Sequence, residues 1–206
     1  KSKLLQLMDT VDRDLMYKKY WYLSGTNETM TNQLKDIVNI VPNWARLKDD
    51  DIVILRSTVK VGTTRNIVFP ILKRTGKSFL LVYCPERTAV GSALKELCVL
   101  PQIIGGINKS SIDRATGIFK KITKKIVITS NVETAEMIKL IDNSSRDVFF
   151  AYANEVARAC DAAGISASEV INSGKLDYQR TSVAKPGLVG GPCLYKDTYI
   201  YSQSLW

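Results

Sequence analysis

The sequence contains no histidine. Histidine is the side chain that most often acts as a general base at neutral pH, and it is a frequent zinc ligand. Its absence excludes a nucleophile activated by a Cys–His pair and argues against a zinc site. Acid–base chemistry in this chain must therefore use Lys, Asp, Glu or water.

Cysteine is also scarce, and the thiols lack the C-x-x-C spacing that is typical of metal sites. The four cysteines are Cys84, Cys98, Cys160 and Cys193. We interpret them as reduced thiols of a cytoplasmic protein, and we expect no bound metal. Long apolar runs are missing as well, since none is long enough to span a bilayer, so no membrane partner is expected.

Acidic residues are outnumbered, with 20 Asp and Glu against 29 Lys and Arg and a net charge of +9. A basic protein can bind nucleic acid, or small anions such as phosphates. The densest basic cluster, residues 120–125, lies at the end of a predicted helix, where cations are favourable in any case. Since no basic stripe is interleaved with aromatic residues, we expect no nucleic-acid partner and keep that function as the least favoured alternative.

Strand and helix patterns alternate between residues 51 and 129. Apolar runs predict buried strands at 52–55, 78–83, 102–104 and 125–129, with Gly105-Gly106 as a turn. Helical spacing predicts helices at 66–74, 93–97 and 111–121. This alternation predicts a parallel α/β sheet, in which ligands bind beyond the carboxyl ends of the strands. Ser57, Thr58 and Glu86 lie at such ends, although Glu86 could also be an ordinary exposed loop carboxylate.

One long helix is predicted after the sheet. Ser130-x-x-Glu133 has the pattern of a capping box, helical spacing continues to Ala163, and Gly164 is suited to end the helix. The helix would have about 33 residues and a length of roughly 50 Å. Its apolar stripe consists of Ile138, Ile141, Val148, Tyr152 and Ala159. So long a helix spans domains or packs against a partner subunit, and we expect a homodimer through residues 130–163.

A second capping box, Ser166-x-x-Glu169, predicts a short helix that ends at Asn172.

Two polar side chains on the long helix are of interest, because Lys139 and Asn143 are four residues apart and share a face. The simplest interpretation of Lys139 is a surface ion pair with Glu136.

A glycine-rich loop at residues 186–193 ends in Cys193, and a helix is predicted from residue 194 to 204. Near a helix N-terminus the macrodipole favours the thiolate, and Lys196 adds positive charge. Asp197, four residues after Cys193, shares its helical face. Both a covalent nucleophile and a small buried apolar thiol are compatible with this pattern.

Four segments in this order and spacing resemble the UDP-glucose/GDP-mannose dehydrogenase family of nucleotide-sugar dehydrogenases, over about residues 50–204. They are Ile54-Leu55-Arg56-Ser57-Thr58-Val59 with Gly62-Thr63-Thr64; Cys84-Pro85-Glu86-Arg87; Ala135-Glu136-Met137-Ile138-Lys139-Leu140 with Asp142-Asn143 and Arg146; and Gly190-Gly191-Pro192-Cys193-Leu194-Tyr195-Lys196-Asp197. The resemblance implies oxidation of the C6 hydroxyl of a UDP-sugar to a carboxylate, with two hydride transfers to NAD, in the synthesis of surface polysaccharide precursors.

The resemblance also implies roles for individual residues. Cys193 would hold the sugar carbon as a thiohemiacetal and then as a thioester. Lys139, helped by Asn143, would stabilise the developing oxyanion. Asp197 would orient or deprotonate either the water or Lys139. Thr58 and Glu86 would lie near the nicotinamide and the catalytic water.

Binding roles follow from the same resemblance. Cofactor-binding residues would be Ser57, Thr58, Glu86 and Lys196, with Lys196 at the pyrophosphate. Substrate-binding residues would be Arg87, Lys139, Asn143, Arg180, Gly190 and Gly191. The Pro85-Glu86-Arg87 sequence and residues 100–106 are similar to the branch that acts on UDP-N-acetylhexosamines such as UDP-N-acetylmannosamine.

The chain departs from the family pattern in three ways. It has no G-x-G-x-x-G, it ends before the family's C-terminal nucleotide-sugar-binding domain, and Val90 stands where relatives often have a second glutamate. We therefore expect weak or no activity from the chain alone.

The predicted organisation is a partial NAD-binding Rossmann-like domain at residues 1–129 and an all-α central domain for catalysis and dimerisation at residues 130–206. The alternative to an enzyme is a catalytically incomplete fragment that acts only as a dimerisation module.

Overall fold

A computed structural model describes residues 48–89, 91–189 and 192–204, and only the backbone of Pro192, Cys193 and Tyr195. Three predicted positions of interest, Val90, Gly190 and Gly191, lie outside the described residues. The described residues form two compact units. The first unit comprises residues 48–139 and 202–204, and the second comprises Leu140–Tyr201.

The first unit contains all the described strands. In chain order its elements are β1 (Asp51–Leu55), a π-helical turn (Thr64–Val68), α1 (Phe69–Lys73), β2 (Phe79–Tyr83), α2 (Ala93–Val99), β3 (Gln102–Gly106), α3 (Lys109–Phe119) and β4 (Ile126–Ile128). The long helix α4 (Val132–Ala163) begins in this unit, and the second unit continues with α5 (Ala167–Lys175) and α6 (Pro192–Gln203). No helix of the described residues is both long and apolar enough to cross a membrane.

The four strands form one sheet in the order β1-β2-β3-β4. The predicted α/β class with one long helix is confirmed, but the sheet is not entirely parallel. β1 pairs with β2 and β3 pairs with β4 in parallel, whereas β3 runs antiparallel to β2. A parallel connection needs a crossover helix that packs on the sheet. No side chain of α2, the helix between β2 and β3, is buried, so the chain returns without crossing the sheet.

Helices cover both faces of the central strands. On one face, Leu81 of β2 packs with Leu72 of α1 and with Val53 and Leu55 of β1. On the other face, Val82 packs with Ala115 and Phe119 of α3 and with Ile52 and Ile54. Packing on both faces is the physical reason for the continuous apolar run that identified β1 in the sequence, although the side chains of β1 are half-buried and not fully buried as predicted.

Gly105 and Gly106 belong to β3 and do not form the predicted turn. Their lack of a side chain allows close packing: a Cβ atom on Gly105 would lie 2.8 Å from Val132 Cα and 2.9 Å from Asn131 O. The N-terminus of α4 therefore approaches β3 more closely than any other residue type would permit.

The ends of the helices were only partly predicted. Asn131, not Ser130, caps α4, because its Oδ1 accepts the Thr134 N–H at 2.7 Å. The predicted end at Gly164 is confirmed: φ is +70°, and the Ile165 N–H donates to Cys160 O at 3.0 Å, which is the Schellman pattern. The Ser166 hydroxyl accepts the Glu169 N–H as predicted, but α5 continues to Lys175 and not to Asn172.

We predict that Gly105→Ala lowers the free energy of unfolding by about 1–3 kcal/mol, because the new methyl group meets backbone atoms that cannot rotate away. Gly117→Ala is the matched control. Gly117 lies in α3 with open space around it, so alanine there should be neutral or stabilising by up to about 1 kcal/mol. Urea denaturation of both variants measures the difference, and equal stabilities would contradict the close approach of α4 to β3.

Candidate functional site

The loops that follow β1 and β2 are hydrogen-bonded to each other beyond the strands. The Cys84 N–H donates to Leu55 O at 2.8 Å, and the Glu86 N–H donates to Arg56 O at 3.1 Å. The Tyr83 hydroxyl donates to Ser57 O at 3.2 Å. The carboxyl ends of this parallel pair therefore bring the segment that contains Ser57 and Thr58 beside the segment that contains Glu86.

The Glu86 carboxylate is held by two groups. Oε2 accepts a hydrogen bond from Arg56 Nη2 at 2.7 Å in an ion pair, and Oε1 accepts the Thr88 N–H at 3.0 Å. Arg56 is itself fixed, because its guanidinium lies 5.2 Å from the centroid of the Phe119 ring and also donates to Gln102 Oε1 at 3.4 Å. Glu86 is thus part of a network and is not an ordinary exposed loop carboxylate.

The pKa of Glu86 decides what its carboxylate can do. Burial by itself raises this pKa, but the Thr88 N–H and the Arg56 guanidinium outweigh burial and lower it from 4.5 to about 2. An effective general base has a pKa near the working pH. Glu86 therefore provides a fixed negative charge and hydrogen-bond acceptor, and it is a poor proton acceptor.

The Cys84 thiol lies next to this network but is unreactive. Burial raises the pKa of its thiol to about 11, an effect that the nearby Arg56 guanidinium only partly opposes. The thiol therefore stays protonated at neutral pH and lacks the character of a nucleophile.

The interpretation of Lys139 as a surface ion-pair partner of Glu136 is wrong. Lys139 Nζ instead donates to the backbone oxygen of Glu86 at 2.6 Å, so its ammonium group reaches the loop after β2. Glu136 has no exposed surface and accepts three hydrogen bonds from Gly62 and Thr64. Burial raises the pKa of Glu136, and the bonds from Thr64 and Gly62 oppose that rise.

In the second unit the structure brings three of the predicted site residues together. Asn143 of α4 donates from Nδ2 to Asp197 Oδ2 at 2.5 Å, and both side chains are buried. Lys196 Nζ lies 3.4 Å from Asp197 Oδ1. The Asp197 carboxylate is thus held by an amide from α4 and by a cation from its own helix, as a buried anion requires.

Cys193 is the second residue of α6. This helix begins at Pro192, which is two residues before its predicted start at residue 194. Proline is favoured at the first position of a helix because its missing N–H would have no partner there. Cys193 thus lies in the first helical turn, where the macrodipole favours a thiolate.

Arg87 and Arg180, two further predicted site residues, belong to different units of the structure. Arg87 is half-buried and follows Glu86 directly. Arg180 is exposed in the second unit, with its guanidinium 4.8 Å from the centroid of the Tyr178 ring. Among the described residues, no three His, Cys, Asp or Glu side chains come together as possible metal ligands.

Sequence reasoning missed Asn154. Its Nδ2 donates to Gly187 O at 2.8 Å, and its Oδ1 accepts the Gly187 N–H at 2.8 Å. This pair of hydrogen bonds fixes the start of the glycine-rich loop to α4. The sequence offered one indication of this contact. An asparagine lies in the interior of the predicted helix, where this residue type is unfavourable unless its side chain forms specific hydrogen bonds.

Two family models match the chain. One is described as the UDP-glucose/GDP-mannose dehydrogenase family, NAD binding domain, and matches residues 26–123. The other is described as the central domain of the same family and matches residues 133–205.

Individual relatives agree with these matches. The UDP-N-acetyl-D-mannosamine dehydrogenase of Methanococcus aeolicus is 38% identical over 81% of this chain and 37% of that protein. The enzyme of the same name from Yersinia pestis is 35% identical over 77% of this chain and 40% of that protein. The solved UDP-D-ManNAc dehydrogenase of Pyrococcus horikoshii has a TM-score of 0.75 and 33% identity, over 82% of this chain and 41% of that one. The chain therefore spans about two fifths of the length of these relatives.

The Arg56–Glu86 pair leads to a prediction of pH-dependent stability. The pKa of Glu86 is lower in the folded chain, about 2, than its ordinary value of 4.5, so the stabilisation is complete above about pH 4.5 and is lost as the pH falls towards 2. Arg56→Gln should lower the free energy of unfolding by about 1 kcal/mol at pH 7, a value reduced for solvent screening because 43% of the Glu86 side chain is exposed.

Urea denaturation at pH 7, 5 and 3 checks this expectation, and the effect of Arg56→Gln should be smallest at pH 3. Arg158→Gln is the control, because Arg158 forms a highly exposed pair with Glu155 and its loss should change stability by less than about 0.5 kcal/mol. An effect of Arg56→Gln that is constant over this pH range would contradict the assigned ion pair.

Proposed function

Because this chain belongs to the UDP-glucose/GDP-mannose dehydrogenase family, we propose that it takes part in the NAD-dependent oxidation of the C6 hydroxyl of a UDP-sugar to the uronate. The observation that carries the proposal is that the NAD-binding and central models of this one family both match, in chain order, over residues 26–123 and 133–205. A chance similarity to one common fold would not produce both matches.

The substrate we propose is a UDP-N-acetylhexosamine, with UDP-N-acetylmannosamine as the first candidate. The support is the printed activity of the relatives from Methanococcus aeolicus and Yersinia pestis, together with the Pro85-Glu86-Arg87 sequence. The product would be a precursor of surface polysaccharide, made in the cytoplasm, where the Cys193 thiol stays reduced.

We propose that NAD binds beyond the carboxyl ends of β1 and β2, with Lys196 at the pyrophosphate. The exposed Ser57 and half-buried Thr58 fit this location, because ligands of parallel sheets bind at such edges. When bound, NAD accepts one hydride in each of two oxidation steps. The Glu86 carboxylate and Thr58 would hold the water that later attacks the thioester. Glu86 does so as a hydrogen-bond acceptor, since its pKa of about 2 makes it a weak base.

The chemistry would run through a covalent bond to Cys193. The first oxidation converts the C6 alcohol to an aldehyde and releases a proton. The Cys193 thiolate then attacks the aldehyde carbon to form a thiohemiacetal, and loss of the second hydride gives a thioester. Water cleaves the C–S bond, which releases the carboxylate and restores the thiol.

Two residues of α4 would assist these steps. The Lys139 ammonium group would stabilise the negative oxygen of the thiohemiacetal, helped by the Asn143 amide. Asp197, buried and hydrogen-bonded to Asn143, would orient that amide or receive a proton from the water. Arg87, Arg180, Gly190 and Gly191 would contact the sugar nucleotide. Residues 1–129 would thus form the cofactor domain and residues 130–206 the catalytic helical domain.

We predict that UDP-N-acetylmannosamine together with NADH protects Cys193 from iodoacetamide. At a ligand concentration of about ten times Kd the rate of alkylation should fall about tenfold, because only the free fraction reacts. Peptide mass spectrometry follows each cysteine separately. Cys98 is the internal control, since it is exposed and belongs to no proposed site, so its rate should not change.

A fluorescence assay for NADH at high chain concentration complements this labelling. NADH formed from the UDP-sugar should fall in Cys193→Ala and stay unchanged in Cys98→Ala. Equal protection of both cysteines, or none, would count against the proposed function.

A second candidate, a dimerisation module, is supported by α4. Val148, Phe149 and Tyr152 are 62%, 56% and 59% exposed on this helix. Large apolar side chains clustered on a surface are typical of protein–protein interfaces. We propose that a second copy of the chain covers them, which is compatible with either function.

Sedimentation of the wild-type chain should give a mass of twice the 23.0 kDa of one chain. The Phe149→Glu variant should shift towards the monomer, because its dimer would bury an unpaired charge at the interface. Arg158→Glu introduces the same residue at an exposed polar position of α4 and should leave the dimer intact. A wild-type chain that sediments as a monomer at micromolar concentration would overturn the proposed dimer.

A further inference from the structure

Glu136 carries a buried carboxylate that the proposed reaction does not use. It lies in the second turn of α4, has no exposed surface, and faces the segment that follows β1. A carboxylate in such a place is costly unless hydrogen bonds replace its lost hydration. The groups that supply those bonds therefore identify what Glu136 does.

All three donors to Glu136 come from one end of the loop after β1. Oε2 accepts the Gly62 N–H at 2.6 Å, while Oε1 accepts the Thr64 N–H at 2.8 Å and the Thr64 hydroxyl at 2.6 Å. These N–H groups open the π-helical turn, where no earlier helical carbonyl is available to them. The carboxylate thus acts as the cap of this turn from a different helix.

The residues around Glu136 on α4 contact the same region. Glu133 accepts from Arg65 Nε at 2.6 Å, and Lys139 donates to Glu86 O at 2.6 Å. The three side chains are spaced by three residues and thus occupy one side of the helix. The first turns of α4 therefore hold both the loop after β1 and the loop after β2.

The other end of the loop after β1 is fixed by different groups. Ser57 O accepts the Tyr83 hydroxyl, and the Val59 side chain is buried against Val132 and Ala135 of α4. Between these contacts and Gly62 the chain has little freedom left. Release of the Gly62–Thr64 end would remove one of the fixed points of this loop, and the position of Thr58 would then depend more strongly on the contacts of its neighbours Ser57 and Val59.

We propose that Glu136 is a positioning residue that anchors the Gly62–Thr64 end of this loop and so keeps Ser57 and Thr58 in place beside Glu86. The benefit to the cofactor rests on the proposed function, whereas the anchoring itself rests on the three hydrogen bonds. An apolar residue at position 136 would fill the space but would leave two backbone N–H groups buried without acceptors.

The test compares Glu136→Gln with Glu133→Gln in the full chain, by NMR hydrogen exchange of individual amides. Glutamine keeps one acceptor oxygen but turns an NH₂ group towards a donor, so at least one of the three bonds is lost. We expect exchange at Gly62 and Thr64 to rise about tenfold and exchange at Thr58 to rise with it. In Glu133→Gln, which loses only a partly exposed ion pair, these amides should not change.

Thr64→Val provides a second variant in case Glu136→Gln does not fold. It removes only the hydroxyl donor with little change of shape, and exchange at Thr58 should rise by a smaller factor. Unchanged exchange at Thr58 in a folded Glu136→Gln chain overturns the proposal. With Glu136→Gln unfolded, unchanged exchange at Thr58 in Thr64→Val overturns it.

Titration with NADH separates this inference from the proposed function. A weaker affinity for NADH in Glu136→Gln than in Glu133→Gln supports both. A wild-type chain that does not bind NADH contradicts the proposed cofactor, while exchange at Thr58 still decides whether Glu136 positions the loop. Unchanged NADH affinity together with faster exchange at Thr58 overturns the claim that the anchored loop serves the cofactor.

Discussion

The close approach of the first turns of α4 to β3 is the constraint on which the positions of the loops after β1 and β2 depend. Gly105 permits it, because any side chain there would collide with the backbone of residues 131 and 132. Once α4 is this near, Glu136 reaches Gly62 and Thr64 and Lys139 reaches Glu86 O. Packing of a helix against a glycine strand thus determines where two loops of functional interest lie.

Electrostatics then give the neighbouring carboxylates different properties. Glu86 pairs with Arg56 and the Thr88 N–H, which bring its pKa to about 2, so it is a permanent anion. Glu136 meets only uncharged donors in a buried place, and desolvation raises its pKa. In the second unit, the Asp197 carboxylate is held by Asn143 and Lys196. The two glutamates thus differ in character because of their partners and their burial, since their residue type is the same.

Much of the fold could be predicted from local patterns, whereas several contacts could not. Apolar runs identified the four strands, and Gly164 marked the end of α4, because burial and positive φ leave direct traces in residue type. The antiparallel β2–β3 pair was missed, since strand direction depends on whether α2 packs on the sheet, and its sequence resembles that of any short helix. The family resemblance selected Lys139, Asn143 and Asp197 as site residues. The hydrogen-bond partner of Lys139 lies 53 residues away along the chain and that of Asn143 lies 54 residues away, so local patterns could not identify them.

The sequence by itself determined the family, the α/β class and the long helix, because these follow from residue identity and spacing along the chain. It also predicted, through the family resemblance, which residues carry the proposed chemistry. Only the tertiary structure decided that Glu136 is a buried anchor and not the ion-pair partner of Lys139, and that Asn154 holds Gly187. The physical reason is that a hydrogen bond joins atoms that are close in space. Helical periodicity indicates which side chains share a face, but it contains no information about what that face will meet.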